Sequence, residues 1–128
     1  MKVTIIIGLP GSGKSYLIDK IARNHTILDD FVSPEKIHMA LSLRDDVIMA
    51  DPYLCEPDIL KKVIKIVEIY TSDIEYIYFE NNKEKAIANA ENRGRGVKGL
   101  IHQLSTVYTP PENARKIFQK DDFSLQLD

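Results

Sequence analysis

Apolar residues along this chain fall into short β-branched runs and longer stretches with helical spacing, and the two alternate. Lys2–Ile7 is nearly uninterrupted in its β-branched apolar character, the pattern of a central strand covered on both faces, and such strands are typically parallel. The glycine-rich stretch Gly8–Ser15 follows, and after it Tyr16, Leu17, Ile18, Ile21 and Ala22 recur at helical spacing. Thr26–Leu28 predicts a second short strand that ends in the acidic pair Asp29-Asp30. Ser33-Pro34-Glu35 has the form of a helix start, with Ser33 as cap and Pro34 in the first turn. Ile37, Ala40 and Leu41 are expected to face inward from that helix, with Leu43 as a further candidate.

Val47–Ala50 predicts a third strand, closed by Asp51-Pro52. Pro57 opens a long helix whose apolar positions are Ile59, Leu60, Val63, Ile64, Val67 and Tyr70, and Ile74–Phe79 suits a fourth strand. Lys83–Asn92 is read as a helix ending in Arg93-Gly94-Arg95-Gly96, and Val97–Tyr108 as another that Thr109-Pro110-Pro111 stops. Ala114–Gln119 is a candidate last strand, and the tail from about 120 to 128 is expected to be loose. Strands alternating with helices predict a three-layer α/β/α fold around a mostly parallel sheet of four to five strands. Residues 1–128 are expected to form one domain, with no repeat, low-complexity tract or linker.

Composition narrows the setting. With 44% hydrophobic and 28% charged residues the chain is ordinary for a globular protein. A net charge of −2 argues against a non-specific nucleic-acid coat but allows a local groove for a nucleic-acid end. One cysteine, Cys55, excludes an internal disulfide, and a reducing cytoplasmic location is expected. Val3–Ile7 is too short for a signal-peptide core, and no stretch approaches bilayer-spanning length, so no membrane partner is expected.

The chemistry is carried by Gly8-Leu9-Pro10-Gly11-Ser12-Gly13-Lys14-Ser15, a G-x-x-x-x-G-K-[ST] loop that follows a strand and opens a helix. Glycines there let successive backbone N–H groups turn toward an anion, and the following helix adds the positive end of its dipole. The expected ligand is a nucleoside triphosphate, ATP or GTP, held by residues 8–15 and the adjoining Tyr16. Lys14 would reach the β and γ phosphates and Ser15 would ligate Mg²⁺. Asp51, at a strand end where ligands of open α/β sheets gather, is a candidate for holding a Mg²⁺-bound water, although an aspartate before proline also caps turns.

Asp29 follows a strand too and is a candidate to orient an acceptor hydroxyl or take its proton; a solvated turn is the plainer alternative for adjacent carboxylates. Arg93 and Arg95, set among Gly94, Gly96 and Gly99 with Lys98 close by, are candidates to neutralise charge on a transferred phosphoryl group, against an ordinary basic turn. His25, His38 and His102 lack metal-ligand spacing; His102, one turn after Lys98, is read as a surface residue. Cys55 is read as unreactive, and Tyr70, Tyr76, Tyr78 and Tyr108 are expected to pack with their hydroxyls at the surface.

These stretches, in this order, resemble the small P-loop kinases related to the kinase domain of bacteriophage polynucleotide kinase. Residues 8–15 are similar to that group's phosphate loop, and Leu28-Asp29-Asp30-Phe31 to its Asp-Asp-aromatic segment. Val47–Leu54 with Asp51 resembles its third strand and strand-end aspartate. Asn92–Gly96 followed by Ile101, Leu104, Tyr108 and Pro110 resembles its arginine-bearing lid, here about 92–100, and the helix after it. The resemblance implies a P-loop NTPase fold, Asp29 as catalytic base, Arg93 or Arg95 as lid arginine, and Lys14 and Ser15 as phosphate and metal groups. Val32 stands where the group places an acceptor-binding arginine, and Phe31–Asp46 is short for an acceptor pocket, so the acceptor stays open.

The expected activity is transfer of the γ-phosphoryl group of ATP to a hydroxyl of a nucleoside, a nucleotide or a polynucleotide 5′ end. The alternatives are a nucleotide-binding adaptor or weak ATPase, and a nucleoside monophosphate kinase. A switch GTPase is disfavoured because the chain has no Asn-Lys-x-Asp motif.

Overall fold

The computed structural model describes residues 1–29 and 33–117. Strands β1 (Val3–Ile7), β2 (Thr26–Asp29), β3 (Val47–Ala50) and β4 (Ile74–Tyr78) form one all-parallel sheet in the order β2-β3-β1-β4. Helix α1 (Lys14–Ile21) connects β1 to β2, α2 (Pro34–Ser42) connects β2 to β3, and α3 (Pro57–Tyr70) connects β3 to β4. A 3₁₀ turn, Pro52–Cys55, precedes α3, and α4 (Lys83–Asn92) and α5 (Lys98–Ser105) follow β4.

Alternation along the buried strands sorts side chains into two cores. Val3, Ile5, Ile7, Val47 and Met49 join a large cluster with α2 and α3, to which α4 and α5 add Ala86, Ala90, Ile101 and Leu104. Ile6, Ile48 and Ala50 point to the opposite face, where Leu17 and Ile18 of α1 and Phe79 cover them. The result is a three-layer α/β/α architecture. β1 and β3 are buried at every residue, which explains why Thr4 is the one polar side chain in the two strands.

Register places the site. Asp29 lies beside Ala50, Ala50 beside Ile6, and Ile7 beside Tyr78, so all four strands end at one edge. The loops that leave that edge begin at Gly8, Asp51 and Phe79, and β2 itself ends on Asp29.

Several local expectations are corrected. Within the described residues, the strand expected at Ala114–Gln119 reduces to one parallel bridge between Phe79 and Arg115. The Glu80 carboxylate holds that segment instead, accepting from the Ile117 amide at 3.1 Å and pairing with Lys116 at 3.3 Å. Phe118, Gln119, the tail 120–128, and Asp30, Phe31 and Val32 lie outside the described residues. Leu43 is 63% exposed, because α2 stops at Ser42 and the chain turns through a left-handed Arg44 (φ 63°). Ser33 occupies the cap position of α2, but its hydroxyl donates to the Glu35 carboxylate at 3.0 Å, not to the helix backbone. Among the described residues no helix is long and apolar enough to cross a membrane.

Candidate functional site

The loop between β1 and α1 is built on two left-handed glycines, Gly11 (φ 84°) and Gly13 (φ 100°). Only glycine takes these conformations without strain, and they turn the chain tightly over the end of β1. Ser12 N–H closes one turn on the Leu9 carbonyl at 3.1 Å. Gly13 then starts α1 with no side-chain cap, leaving the helix entrance to whatever the loop encloses. Lys14 is buried and folds back over the loop, its Nζ donating to the carbonyls of Gly8 at 2.6 Å and Leu9 at 2.9 Å. The ammonium is thus held by main-chain oxygens at the mouth of the cradle.

A small cleft, about 80 Å³ in volume and open to solvent, lies above this loop. Pro10, Gly11, Gly13, Lys14 and Ser15 line one side. Asp29 from the end of β2, Pro52 after β3, and Arg93 and Arg95 after α4 complete its wall among the described residues. Segments far apart in sequence therefore place a lysine, two arginines, a carboxylate and a hydroxyl around one cavity.

The arginines are delivered by a defined helix end. Arg95 N–H donates to Ala90 O at 2.9 Å and Gly94 N–H to Glu91 O at 3.0 Å, the paired bonds of a Schellman cap, with Gly94 left-handed at φ 68°. This cap turns the chain back at the end of α4, so residues on both sides of Gly94 line the cleft over the glycine loop.

Five of the sequence-named residues are not on the cleft wall. Gly8 is buried just past β1, where its carbonyl accepts from Lys14 Nζ. Leu9 is fully buried in the large core. Ser12 is buried beneath the loop, and its Oγ has no hydrogen-bond partner among the described residues. Tyr16 is half-buried on α1, its ring 4.8 Å from the Lys20 ammonium. Asp51 is 2% exposed and caps the 3₁₀ turn, its Oδ1 accepting from Tyr53 N–H at 2.8 Å. The capping role is therefore occupied, and Asp51 also sits directly before the cleft residue Pro52.

The structure adds one residue that sequence reasoning passed over, Asn89, and corrects the placement of two tyrosines. Asn89, 4% exposed on α4, donates from Nδ2 to the Gly11 carbonyl at 2.9 Å. Tyr108 was expected to present its hydroxyl at the surface; instead it is buried, with its hydroxyl at the carbonyls of Ile7 and Phe79. Burial pushes this phenol above its ordinary range, so it stays a proton donor. Tyr70 likewise turns its hydroxyl to His38 Nδ1 at 2.7 Å. Cys55 lies under the loop, where burial pushes its thiol up to about 12 against the pull of the Lys14 ammonium and the Gly8 N–H.

Protein R277 of Acanthamoeba polyphaga mimivirus, an uncharacterized protein, is 35% identical over 108 residues, 78% of each chain. The chain belongs to the family of R277. No protein-family model matches it. The crystal structure of APE1195 is similar in fold, with a TM-score of 0.53 and 16% identity, covering 98% of this chain and 89% of that one. That likeness carries the α/β/α architecture of this R277 relative and nothing about its chemistry.

Proposed function

We propose that this protein is an ATP-dependent phosphotransferase that moves the γ-phosphoryl group of a nucleoside triphosphate to a hydroxyl of a nucleoside, nucleotide or polynucleotide end. One observation carries the reading: Lys14, Ser15, Asp29, Arg93 and Arg95 converge on a single cleft over a left-handed glycine loop. A glycine-rich turn with a surface lysine would not bury that lysine or bring a strand-end carboxylate and two arginines to the same cavity.

Each group has a physical task. The loop amides and the start of α1 would hold the β and γ phosphates, and Lys14 would leave its carbonyl partners to meet them. The Ser15 hydroxyl on the cleft wall and the Asp51 carboxylate, one residue before the lining residue Pro52, are hard oxygen donors of the kind that fit Mg²⁺ together with phosphate oxygens and water. When bound, such an ion supplies charge neutralisation on the phosphates. Asp29 would take the proton of the acceptor hydroxyl as its oxygen bonds to the γ phosphorus and the bond to the β–γ bridging oxygen breaks. Arg93 and Arg95 would stabilise the charge spread over the transferring oxygens.

The test is incubation with γ-labelled ATP, Mg²⁺ and a panel of 5′-hydroxyl oligonucleotides, nucleosides and nucleoside monophosphates, with Lys14→Ala as the blank. Label entering one acceptor, and absent from the blank, establishes the kinase and its acceptor class. Label released only as free phosphate, or none released despite ATP binding, rejects it in favour of a nucleotide-binding adaptor.

A further inference from the structure

Helix α4 meets the phosphate loop at two points on one face. Asn89 Nδ2 donates to Gly11 O at 2.9 Å, and a Cβ placed on Gly11 would stand only 2.3 Å from the Ala86 carbonyl. Ala86 and Asn89 are three residues apart, hence neighbours on the helix surface, and both are buried. The peptide between Gly11 and Ser12 is consequently fixed from both ends: its carbonyl by Asn89, its N–H by the Leu9 carbonyl.

The same helix ends, one turn beyond Asn89, in the Schellman cap that delivers Arg93 and Arg95 to the cleft. Its other end is tied down as well. Asn82 Oδ1 caps it by accepting from Lys85 N–H at 3.1 Å, and Asn81 Nδ2 bridges the Ser105 and Tyr108 carbonyls at 2.9 Å each. A flexible arginine flap would need none of these attachments.

We propose that Asn89 is a positioning residue that locks the phosphate loop to α4, so that the loop and the arginines facing it are held in one preset arrangement. The proposal rests on the phosphate-binding reading of the cleft. Its consequence is preorganisation: less order has to be imposed when the anion arrives. Loss of the Asn89 amide would free the Gly11 peptide and uncouple it from Arg93 and Arg95.

The test is a double-mutant cycle read by equilibrium binding of Mg·ATP and of inorganic tripolyphosphate to the full chain. Asn89→Ser and Arg93→Ala should each weaken binding about tenfold. The double variant should fall well short of the roughly hundredfold loss that independent sites would give. Additive losses, or an Asn89→Ser protein that melts earlier but binds as the wild type does, overturn the proposal. Should Asn89→Ser fail to fold by circular dichroism, Asn89→Asp, which keeps the shape and removes the donor, takes its place in the cycle. Wild-type binding no tighter than that of Lys14→Ala rejects the phosphate site itself and this inference with it; normal wild-type binding with additive losses rejects this inference alone.

Discussion

The hydroxyl of Tyr108 lies 3.1 Å from the carbonyl oxygen of Ile7, a residue 101 positions earlier in the chain. Ile7 is the last residue of β1 and the one before the glycine loop; the same hydroxyl also meets the carbonyl of Phe79, just past β4. One side chain from beyond α5 thus fastens the ends of the neighbouring strands β1 and β4. With a single proton it can donate to one carbonyl at a time. Since the Phe79 amide already donates to Ile7 O at 2.8 Å, the Phe79 carbonyl depends on Tyr108 more.

Tyr108→Phe should therefore destabilise the fold by about 1–2 kcal/mol, the usual result of leaving one buried carbonyl without its donor. Urea unfolding monitored by circular dichroism measures it. A change within a few tenths of a kcal/mol would mean that the hydroxyl contributes nothing at this junction.

Two left-handed glycines should respond differently to alanine. Gly11→Ala meets both backbone strain and the Ala86 carbonyl at 2.3 Å, so a loss of roughly 2–4 kcal/mol is expected. Gly94→Ala meets no atom within 4 Å, and only the left-handed backbone term of about 1–2 kcal/mol applies. The reverse order in denaturant midpoints would contradict the packing of α4 on the loop.

Stability should fall as pH rises past about 9. The Cys55 thiol ordinarily titrates near 9.0, and burial raises it to about 12 in the folded protein. Below about 9 both states hold the proton and the full stability is present. Between 9 and 12 the unfolded chain loses its proton while the folded one keeps it, which favours unfolding by up to about 1.4 kcal/mol per pH unit. Cys55→Ala should flatten the thermal-midpoint profile between about pH 8.5 and 10, below the range where tyrosines add their own slope. An identical slope in both proteins would assign it elsewhere.

Lys14 and Asp29 should separate binding from turnover. Lys14→Ala is expected to abolish turnover and weaken Mg·ATP binding, whereas Asp29→Asn should keep binding near wild type and lower kcat by about 10²–10⁴-fold. Calorimetric titration with ATP beside a labelled transfer assay distinguishes the two. Equal loss of binding in both variants would count against Asp29 as the group that handles the acceptor.

The amino-acid sequence by itself determined the parts that depend on local pattern. The β-branched run at 3–7 and the apolar run at 47–50 specify strands buried on both faces, and their alternation with helices specifies a parallel sheet whose ends share an edge. The glycines at 11 and 13 specify the left-handed turns of the loop, because backbone freedom belongs to the residue type. The limits of pattern show where a neighbour in space decides. Leu43 has an apolar side chain but lies past the last turn of α2, and Ser33 has a capping hydroxyl that Glu35 captures.

Tertiary structure alone decided which distant groups complete the site. Asn89 and Gly11 are 78 residues apart, and Tyr108 and Ile7 are 101 apart; no periodicity or spacing links either pair. Their contacts exist because a buried carbonyl needs a donor, and the packed helices bring one within reach. Sequence could name the lysine, the aspartate and the arginines as chemistry-bearing residues. Only the folding of α4 and β2 against the loop brings them around one cleft, since that placement is a sum of long-range contacts that no local segment encodes.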